Sequence, residues 1–305
     1  MTALKPITPD DYSRLKPFFI NQPHRLCIYG LPSLLSWKNA EYYPCATVID
    51  GILIIGAEFN TQKDKRHLIL PVADPRLYPP EKLLDLAEQL NFSTYWFVTR
   101  DYMDTYGTDR IGSLFNIAEQ PEYADYVYNK ADLSSLAGRK YARKRNLVSQ
   151  FKREFLNPGR VTIEALKPGH LTECRIFLDE WCLESNCDMD GDSNLACEKQ
   201  AVINTIMELD RFDSKGLLAR IDNEICAFGI GARLTHDMGV LHFEKAFTRF
   251  KGLYQFFDQV CARTLFDGFA YINKESDMSV PNLAKAKQSY YPAMKIPSYS
   301  LTVLA

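Results

Sequence analysis

The chain has 305 residues, 46% of them hydrophobic and 24% charged, with 36 Lys and Arg against 38 Asp and Glu. At about 100–200 residues per domain, that is one large domain or two medium ones, with enough chain to bury a core unaided. A net charge of −2 excludes a globally basic nucleic-acid binder. The longest apolar run, GILIIGA at 51–57, falls far short of the roughly 20 residues that span a membrane. The opening stretch, MTALKPITPDD, has no apolar core and carries acids early, so no secretory signal is read there and a cytoplasmic protein is expected.

A first helix is expected at 9–19, PDDYSRLKPFF, where Asp10 or Asp11 can cap. Two strands follow in CATVIDGILIIGAEF (45–59), folded back at Asp50-Gly51, a pair that tolerates the positive φ of a tight hairpin turn. RHLILPV (66–72) reads as a third strand and STYWFV (93–98) as a fourth. Between them PPEKLLDLAEQL (79–90) is helical, with Leu83, Leu84, Leu86, Ala87 and Leu90 on its apolar face.

The segment LAGRKYARKRNLVSQFKREF (136–155) carries the most distinctive charge pattern. From Arg139 through Arg153 there are seven basic residues and no acid. Removing those seven charges from the net −2 leaves −9 on the rest, so the positive charge is concentrated. Arg139 with Arg143 and Lys140 with Lys144 are like-charged i,i+4 pairs, which destabilise an isolated helix by about 0.2–0.5 kcal/mol each. Tyr141, Leu147, Val148, Phe151 and Phe155 supply an apolar stripe. A solvated connecting helix is one reading. A seat for phosphates of RNA, a nucleotide or a lipid head group is the other, and uncompensated repulsion favours it.

Helices are next expected at 167–185 and 193–212. DMDGDSN (188–194) between them resembles a calcium loop, but Ser193 and Lys199 stand where such a loop needs Gly and Glu. It reads as a polar loop with Ser193 or Asn194 capping the next helix. Cys174, Cys182, Cys187 and Cys197 crowd together near His170, without the tight ligand pairs of a zinc site. Reduced thiols are expected, and no metal.

LLARIDNEICAFGIGARL (217–234), GVLHFEKAF (239–247), GLYQFFDQVCARTL (252–265) and FAYIN (269–273) then repeat the earlier order, with Asp222-Asn223 as the turn. Each copy runs strand, turn, strand, strand, helix, strand, which resembles the core of a GNAT-type acyltransferase domain. The expected fold is therefore α/β (α+β). It comprises two tandem GNAT-like domains, each a mixed, mainly antiparallel sheet flanked by helices. They occupy 1–130 and 161–305, joined by a basic linker helix at 131–160, with the second domain active.

GNAT enzymes seat the pyrophosphate of coenzyme A on N–H groups where a core helix begins, in a Q/R-x-x-G-x-G/A loop. Here the place reads Arg249-Phe250-Lys251-Gly252-Leu253-Tyr254. Arg249 and Gly252 fit as phosphate contacts, whereas Tyr254 stands where a small residue belongs. In the first copy Pro79 and Pro80 remove two N–H donors, so no diphosphate is expected there.

GRKYARKRN (138–146), LHFEKAF (241–247), KGLYQ (251–255) and YINKESDMSVPNLAKAKQSYYPA (271–293) together resemble the family of the C-terminal domain of phosphatidylglycerol lysyltransferases. The resemblance covers most of the chain and is strongest from 126 to 299. Ile272, Asn273, Glu275, Asp277, Leu283, Ala286, Lys287, Ser289, Tyr290 and Pro292 follow the family pattern, while Ser279 replaces a Gly and Ala284 an Arg. The resemblance implies aminoacyl transfer from aminoacyl-tRNA, with a lipid head group as acceptor in the lysyltransferases. Those enzymes carry a multi-span membrane domain that this sequence lacks, so the acceptor, lipid head group or amine, stays open.

Such transfer needs an acceptor proton removed and an oxyanion stabilised. Glu275 and Asp277 alternate after a strand and are candidates to orient or deprotonate the acceptor, or else form a salt-bridged turn with Lys274 or Lys287. Lys285 and Lys287 are candidates to neutralise phosphate or oxyanion, or else line a solvated helix face. Tyr290 is a candidate proton donor or a packed ring. Glu244 shares a strand face with His242. It is a cleft-facing base, or else the partner of Arg220 or Arg233. Arg139, Lys140, Arg143 and Lys144 are the expected phosphate contacts. No cofactor is expected beyond the co-substrate, aminoacyl-tRNA or acyl-CoA. The competing functions are an acyl-CoA-dependent N-acyltransferase and a non-catalytic binding protein on a decayed fold.

Overall fold

The computed structural model describes residues 4–184 and 193–304, with the side chains of 193–197 excepted. Residues 188–192 of the polar loop, Cys187, and the side chains of Ser193, Asn194 and Cys197 lie outside the described residues.

Two seven-stranded mixed sheets share one layout. The first runs β1 (Lys5–Pro6), β2 (Tyr42–Ile49), β3 (Ile52–Phe59), β4 (His67–Leu68), β5 (Thr94–Thr99), β14 (Ser298–Val303) and β6 (Phe115–Glu119). The second runs β8 (Val161–Ala165), β9 (Lys215–Ile221), β10 (Glu224–Arg233), β11 (Met238–Ala246), β12 (Tyr271–Asn273), β7 (Asp125–Asn129) and β13 (Met294–Ile296). In both, an antiparallel hairpin is followed by an antiparallel third strand and a parallel fourth. Asp50 and Gly51 hold φ of 51° and 78°, and Asp222 and Asn223 hold 52° and 73°, so both hairpins turn as their sequences imply.

The sheets exchange strands. β7, on the N-terminal side of position 130, pairs with β12 and β13 in the second sheet. β14, at the C-terminal end, inserts between β5 and β6 in the first. Each sheet thus takes the strand beside its parallel pair from the other half of the chain. The division at 130 and 161 therefore does not separate the sheets.

Among the described residues, seven helices of eight or more residues frame the sheets: α1 (Tyr12–Phe19), α2 (Pro80–Leu90), α3 (Ala142–Phe151), α4 (Leu171–Glu184), α5 (Ser193–Met207), α6 (Leu253–Thr264) and α7 (Pro281–Gln288). Before α1, Asp11 accepts the Thr8 N–H at 2.9 Å, so it reaches backward instead of capping forward. The basic helix α3 is no free linker. Val148 and Phe151 are buried in the second core, and Phe151 stacks on Phe256 of α6 with centroids 4.9 Å apart. The first core includes Val127, Met238 and Val240 of the second sheet and Leu234 just after β10, so apolar packing joins the halves as the strand exchange does. No helix among the described residues is long and apolar enough to cross a membrane.

Candidate active site between two parting strands

β11 and β12 pair in parallel at only three positions, Met238 with Tyr271, Gly239 with Ile272 and Val240 with Asn273. β12 then ends, while β11 continues to Ala246. Charged side chains bridge the gap beyond. His242 Nδ1 lies 2.8 Å from Glu275 Oε1. Lys274 Nζ donates at 2.8 Å to Glu244 Oε2 and at 2.8 Å to Asp258 Oδ1. Strand alternation puts His242 and Glu244 on one face, and α6 presents Asp258 from its buried side. Burial, with Asp258 nearby, holds the Tyr290 hydroxyl well above the usual tyrosine range, and its ring centroid lies 5.4 Å from Lys274 Nζ. Lys144 of the basic helix stands 3.4 Å from that same ring centroid and donates to Ser289 Oγ at 2.8 Å.

Two buried carboxylates therefore share one ammonium. Glu244 Oε2 has its lysine, but Glu244 Oε1 is buried without a hydrogen-bond partner among the described residues. Burial raises the Glu244 carboxyl to about 7, and repulsion from Asp258 adds to the rise, although Lys274 opposes it. Burial works against the charge of Lys274, yet Asp258 and Glu244 hold its ammonium well above the usual lysine range. Burial lowers Lys144 to about 8; Asp258 opposes the fall, and repulsion from Lys274 and Arg143 adds to it. The triad of Lys274, Glu244 and Asp258 thus has one more carboxylate than cation and one unpartnered acceptor atom, an arrangement suited to taking a proton or receiving a cationic group.

The sequence model of the family described as phosphatidylglycerol lysyltransferase, C-terminal, matches residues 57–302. The chain belongs to that family. A conserved protein of unknown function from Bacteroides thetaiotaomicron shares 26% identity and a TM-score of 0.88, with 100% of each chain covered. The C-terminal domain of a putative lysylphosphatidylglycerol synthetase from Agrobacterium fabrum matches with a TM-score of 0.63 and 13% identity, over 96% of this chain and 91% of its own. L-PGS from Bacillus licheniformis matches with a TM-score of 0.63 and 14% identity, over 98% and 93%. No curated protein matches the chain. Membership in the lysyltransferase C-terminal family supports an acyltransferase, on the GNAT-like fold that its sheets display.

In this member of the lysyltransferase C-terminal family, the expected site residues divide. Glu244, Glu275 and Tyr290 meet at the gap, and Lys144 covers it. Asp277 turns elsewhere: its Oδ2 accepts the Tyr126 hydroxyl at 2.5 Å and its Oδ1 the Ser279 N–H at 2.9 Å. Glu275 holds φ of 60°, which breaks the extended alternation that would have put both carboxylates on one face. Lys287 Nζ donates to the carbonyls of Lys274, Glu275 and Ser276. Burial lowers it to about 8, and it pins the end of β12 instead of meeting a phosphate. Lys285 is exposed on α7. Neither Arg220 nor Arg233 pairs with Glu244: Arg220 bridges Glu164 and Glu173, and Arg233 Nε donates to the Thr235 carbonyl.

The expected diphosphate seat is closed. Arg249 is held by Glu184 at 2.7 Å and lies 3.5 Å above the Phe247 ring. Gly252 holds φ of 87°, and a Cβ there would strike the Leu147 carbonyl oxygen of α3. Its smallness admits the basic helix, whose electronegative oxygen then faces the start of α6. Of the basic window, Arg139 and Arg143 are exposed without an ion pair among the described residues. Lys140 reaches Asp132 at 3.2 Å and the ring of Tyr141 at 4.9 Å.

Lys274 as a bridging cation and Asp258 as a second carboxylate were not singled out from sequence as site residues. Asp258 had a readable signal: it is the only acid in α6, next to Phe257 and three residues before Cys261. Among the described residues no group of three or more side chains gathers that could hold a metal ion.

Proposed function

We propose that this chain is an aminoacyltransferase, moving an aminoacyl group from aminoacyl-tRNA to an acceptor amine or hydroxyl at the gap between β11 and β12. The observation that carries this reading is the buried, unpartnered Oε1 of Glu244, whose other oxygen shares the Lys274 ammonium with Asp258. The acceptor gives its proton to Glu244 as its nitrogen or oxygen bonds to the ester carbon. The ester C–O bond then breaks, and the ribose oxygen leaves with the proton that Glu244 took from the acceptor. A carboxyl raised to about 7 is a stronger base than an ordinary glutamate and is still substantially ionised near neutrality. A lysine ammonium has three donors, and two of Lys274's go to Glu244 and Asp258. The third is suited to the oxyanion. Glu275 and His242 position the acceptor from the far side of the gap.

Arg139 and Arg143 are the outward cations for phosphates of the donor. The closed seat at Gly252 and the neutralised Arg249 favour a tRNA donor over acyl-CoA. Titration of the protein with acetyl-CoA and with charged and uncharged tRNA at two salt concentrations tests the donor. Tight acetyl-CoA binding without tRNA binding sinks the reading. Replacing Arg139 or Arg143 by Gln should each lower the salt slope by about one. Transfer from lysyl- or alanyl-tRNA to ethanolamine tests the chemistry, with Glu244→Gln expected to abolish it while tRNA binding persists.

A further inference from the structure

The turn that carries Glu275 to the gap is held by two buried polar side chains that the proposed chemistry does not use. Asn273, the last residue of β12, is fully buried. Its Oδ1 accepts the Glu275 N–H at 2.7 Å, closing a turn over Lys274. Its Nδ2 donates to Asp125 Oδ2 at 2.8 Å and to the Arg25 carbonyl at 3.1 Å. A carboxylate and a carbonyl only accept. Turning the amide over would set oxygen against oxygen on one side and nitrogen against an N–H on the other, so a single orientation satisfies it.

Asp125, the first residue of β7, is 1% exposed. Its Oδ2 also accepts the Cys27 N–H at 2.6 Å, and its Oδ1 lies 3.5 Å from Cys27 Sγ. Burial pushes its carboxyl up to about 6; the bonds from Asn273 and Cys27 oppose the rise, and repulsion from Glu275 adds to it. A buried acid held on neutral donors is costly to keep. What it fixes here is the amide that sets Glu275.

The kink at Glu275 recurs in the other sheet. In the first sheet Tyr95 pairs with Leu68 and, two residues on, Phe97 holds φ of 58°. In the second, Asn273 pairs with Val240 and, two residues on, Glu275 holds 60°. In both, a side-chain amide oxygen accepts the N–H of the kinked residue, from Gln120 at 3.0 Å in the first sheet and from Asn273 in the second. The Ser298 hydroxyl donates to Gln120 Oε1 at 3.0 Å, where the second sheet employs a buried carboxylate to orient the amide. The kinked residue differs too. Phe97 packs its ring against His67 and Tyr123, whereas Glu275 places Oε1 2.8 Å from His242 Nδ1.

We propose that Asp125 and Asn273 are positioning residues for Glu275: the Asp125 carboxylate locks the Asn273 amide, and the locked amide holds the left-handed turn that keeps the Glu275 carboxylate beside His242. Arg25 and Cys27 belong to the first half of the chain, so the setting of Glu275 depends on how that half meets β7 and β12. The inference rests on the proposed function only where Glu275 is assigned to the acceptor.

The test reads His242 directly. The chain has five histidines, and His242→Gln identifies the His242 signal in a nitrogen–proton correlation spectrum of isotope-labelled rings. Glu275→Ala removes the carboxylate and should shift that signal. Asn273→Ala and Asp125→Ala should shift it in the same direction. Asp125→Asn should leave it close to wild type, because one oxygen of Asp125 accepts both the Cys27 N–H and the Asn273 amide. Thermal midpoints report folding. Where an alanine variant does not fold, Asn273→Ser replaces it with the same expected shift, since a serine is too short to span Asp125 and the Glu275 N–H. In transfer to ethanolamine, Asn273→Ala should raise the acceptor KM at least about tenfold while kcat stays within about twofold, and should add nothing to Glu275→Ala. A His242 signal unmoved in folded Asn273→Ala and Asp125→Ala overturns the proposal, as do effects that add fully to those of Glu275→Ala. A chain that transfers nothing sinks the proposed function, and the histidine signal still decides this inference.

Discussion

Glu244 and Lys274 lie 2.8 Å apart across the parting of β11 and β12, and the same lysine reaches Asp258 at 2.8 Å from the neighbouring helix. One ammonium therefore keeps two buried carboxylates from facing each other unscreened. Lys274→Met should cost about 3–5 kcal/mol, the penalty for leaving buried charge unpaired. Urea unfolding measures it. Adding Glu244→Gln and Asp258→Asn to Lys274→Met should recover most of the loss, because the charges needing the lysine are gone. A triple variant as unstable as Lys274→Met would show that the lysine acts through packing.

The raised Glu244 carboxyl has a consequence for stability against pH. Its ordinary value is 4.5 and its folded value about 7, so between those limits the folded chain binds more protons than the unfolded one. Stability contributed by this group is then present at the acidic end and declines as pH rises through the window. Glu244→Gln should flatten that part of the profile. The comparison needs urea midpoints of both proteins from pH 4 to 8. Parallel profiles would mean the carboxyl titrates normally.

Gly252 is explained by packing against the basic helix. Its φ of 87° and the nearby Leu147 carbonyl leave no room for a side chain. Gly252→Ala should cost about 1–3 kcal/mol from backbone strain alone, before the clash is relieved. The displaced helix carries Lys144, so the variant should also disturb the environment of Tyr290. A lowered thermal midpoint together with a changed tyrosine near-ultraviolet signal is the expected pair of results.

The order of elements in each copy was readable because hairpin turns and helical periodicity are local properties: Asp50-Gly51 and Asp222-Asn223 turn as their side chains permit. Strand exchange was not readable. β7 and β14 are short, β-branched or aromatic stretches that would pair acceptably in either sheet, and long-range packing decides between them. The site was half readable for a related reason. Glu244 and Tyr290 stood out by residue type and placement. The left-handed turn at Glu275 sent Asp277 away, and Lys287 went to carbonyls that no spacing rule reveals. The charge of the basic window was visible in sequence, whereas the covering of Lys144 by Tyr290 depends on the residues just after α7 meeting α3.

The exchanged strand makes the first sheet depend on the last residues of the chain. β14 pairs with β5 through Tyr299 and Val98, and with β6 through Tyr299 and Glu119, and Leu301 is fully buried. Removing residues 298–305 leaves β5 and β6 each with an open edge and takes Leu301 from the core. Hydrogen exchange should then accelerate at 94–99 and 115–119 while the 215–246 strands keep their protection. A peptide spanning 298–304 should restore it when added back, since register is set by the two strands that wait for it. Leu301→Ala is the milder probe, with an expected cost of about 2–5 kcal/mol. A fragment ending at 130 should fail to fold alone for the same reason: it lacks β14 and carries β7, whose partners β12 and β13 lie in the rest of the chain.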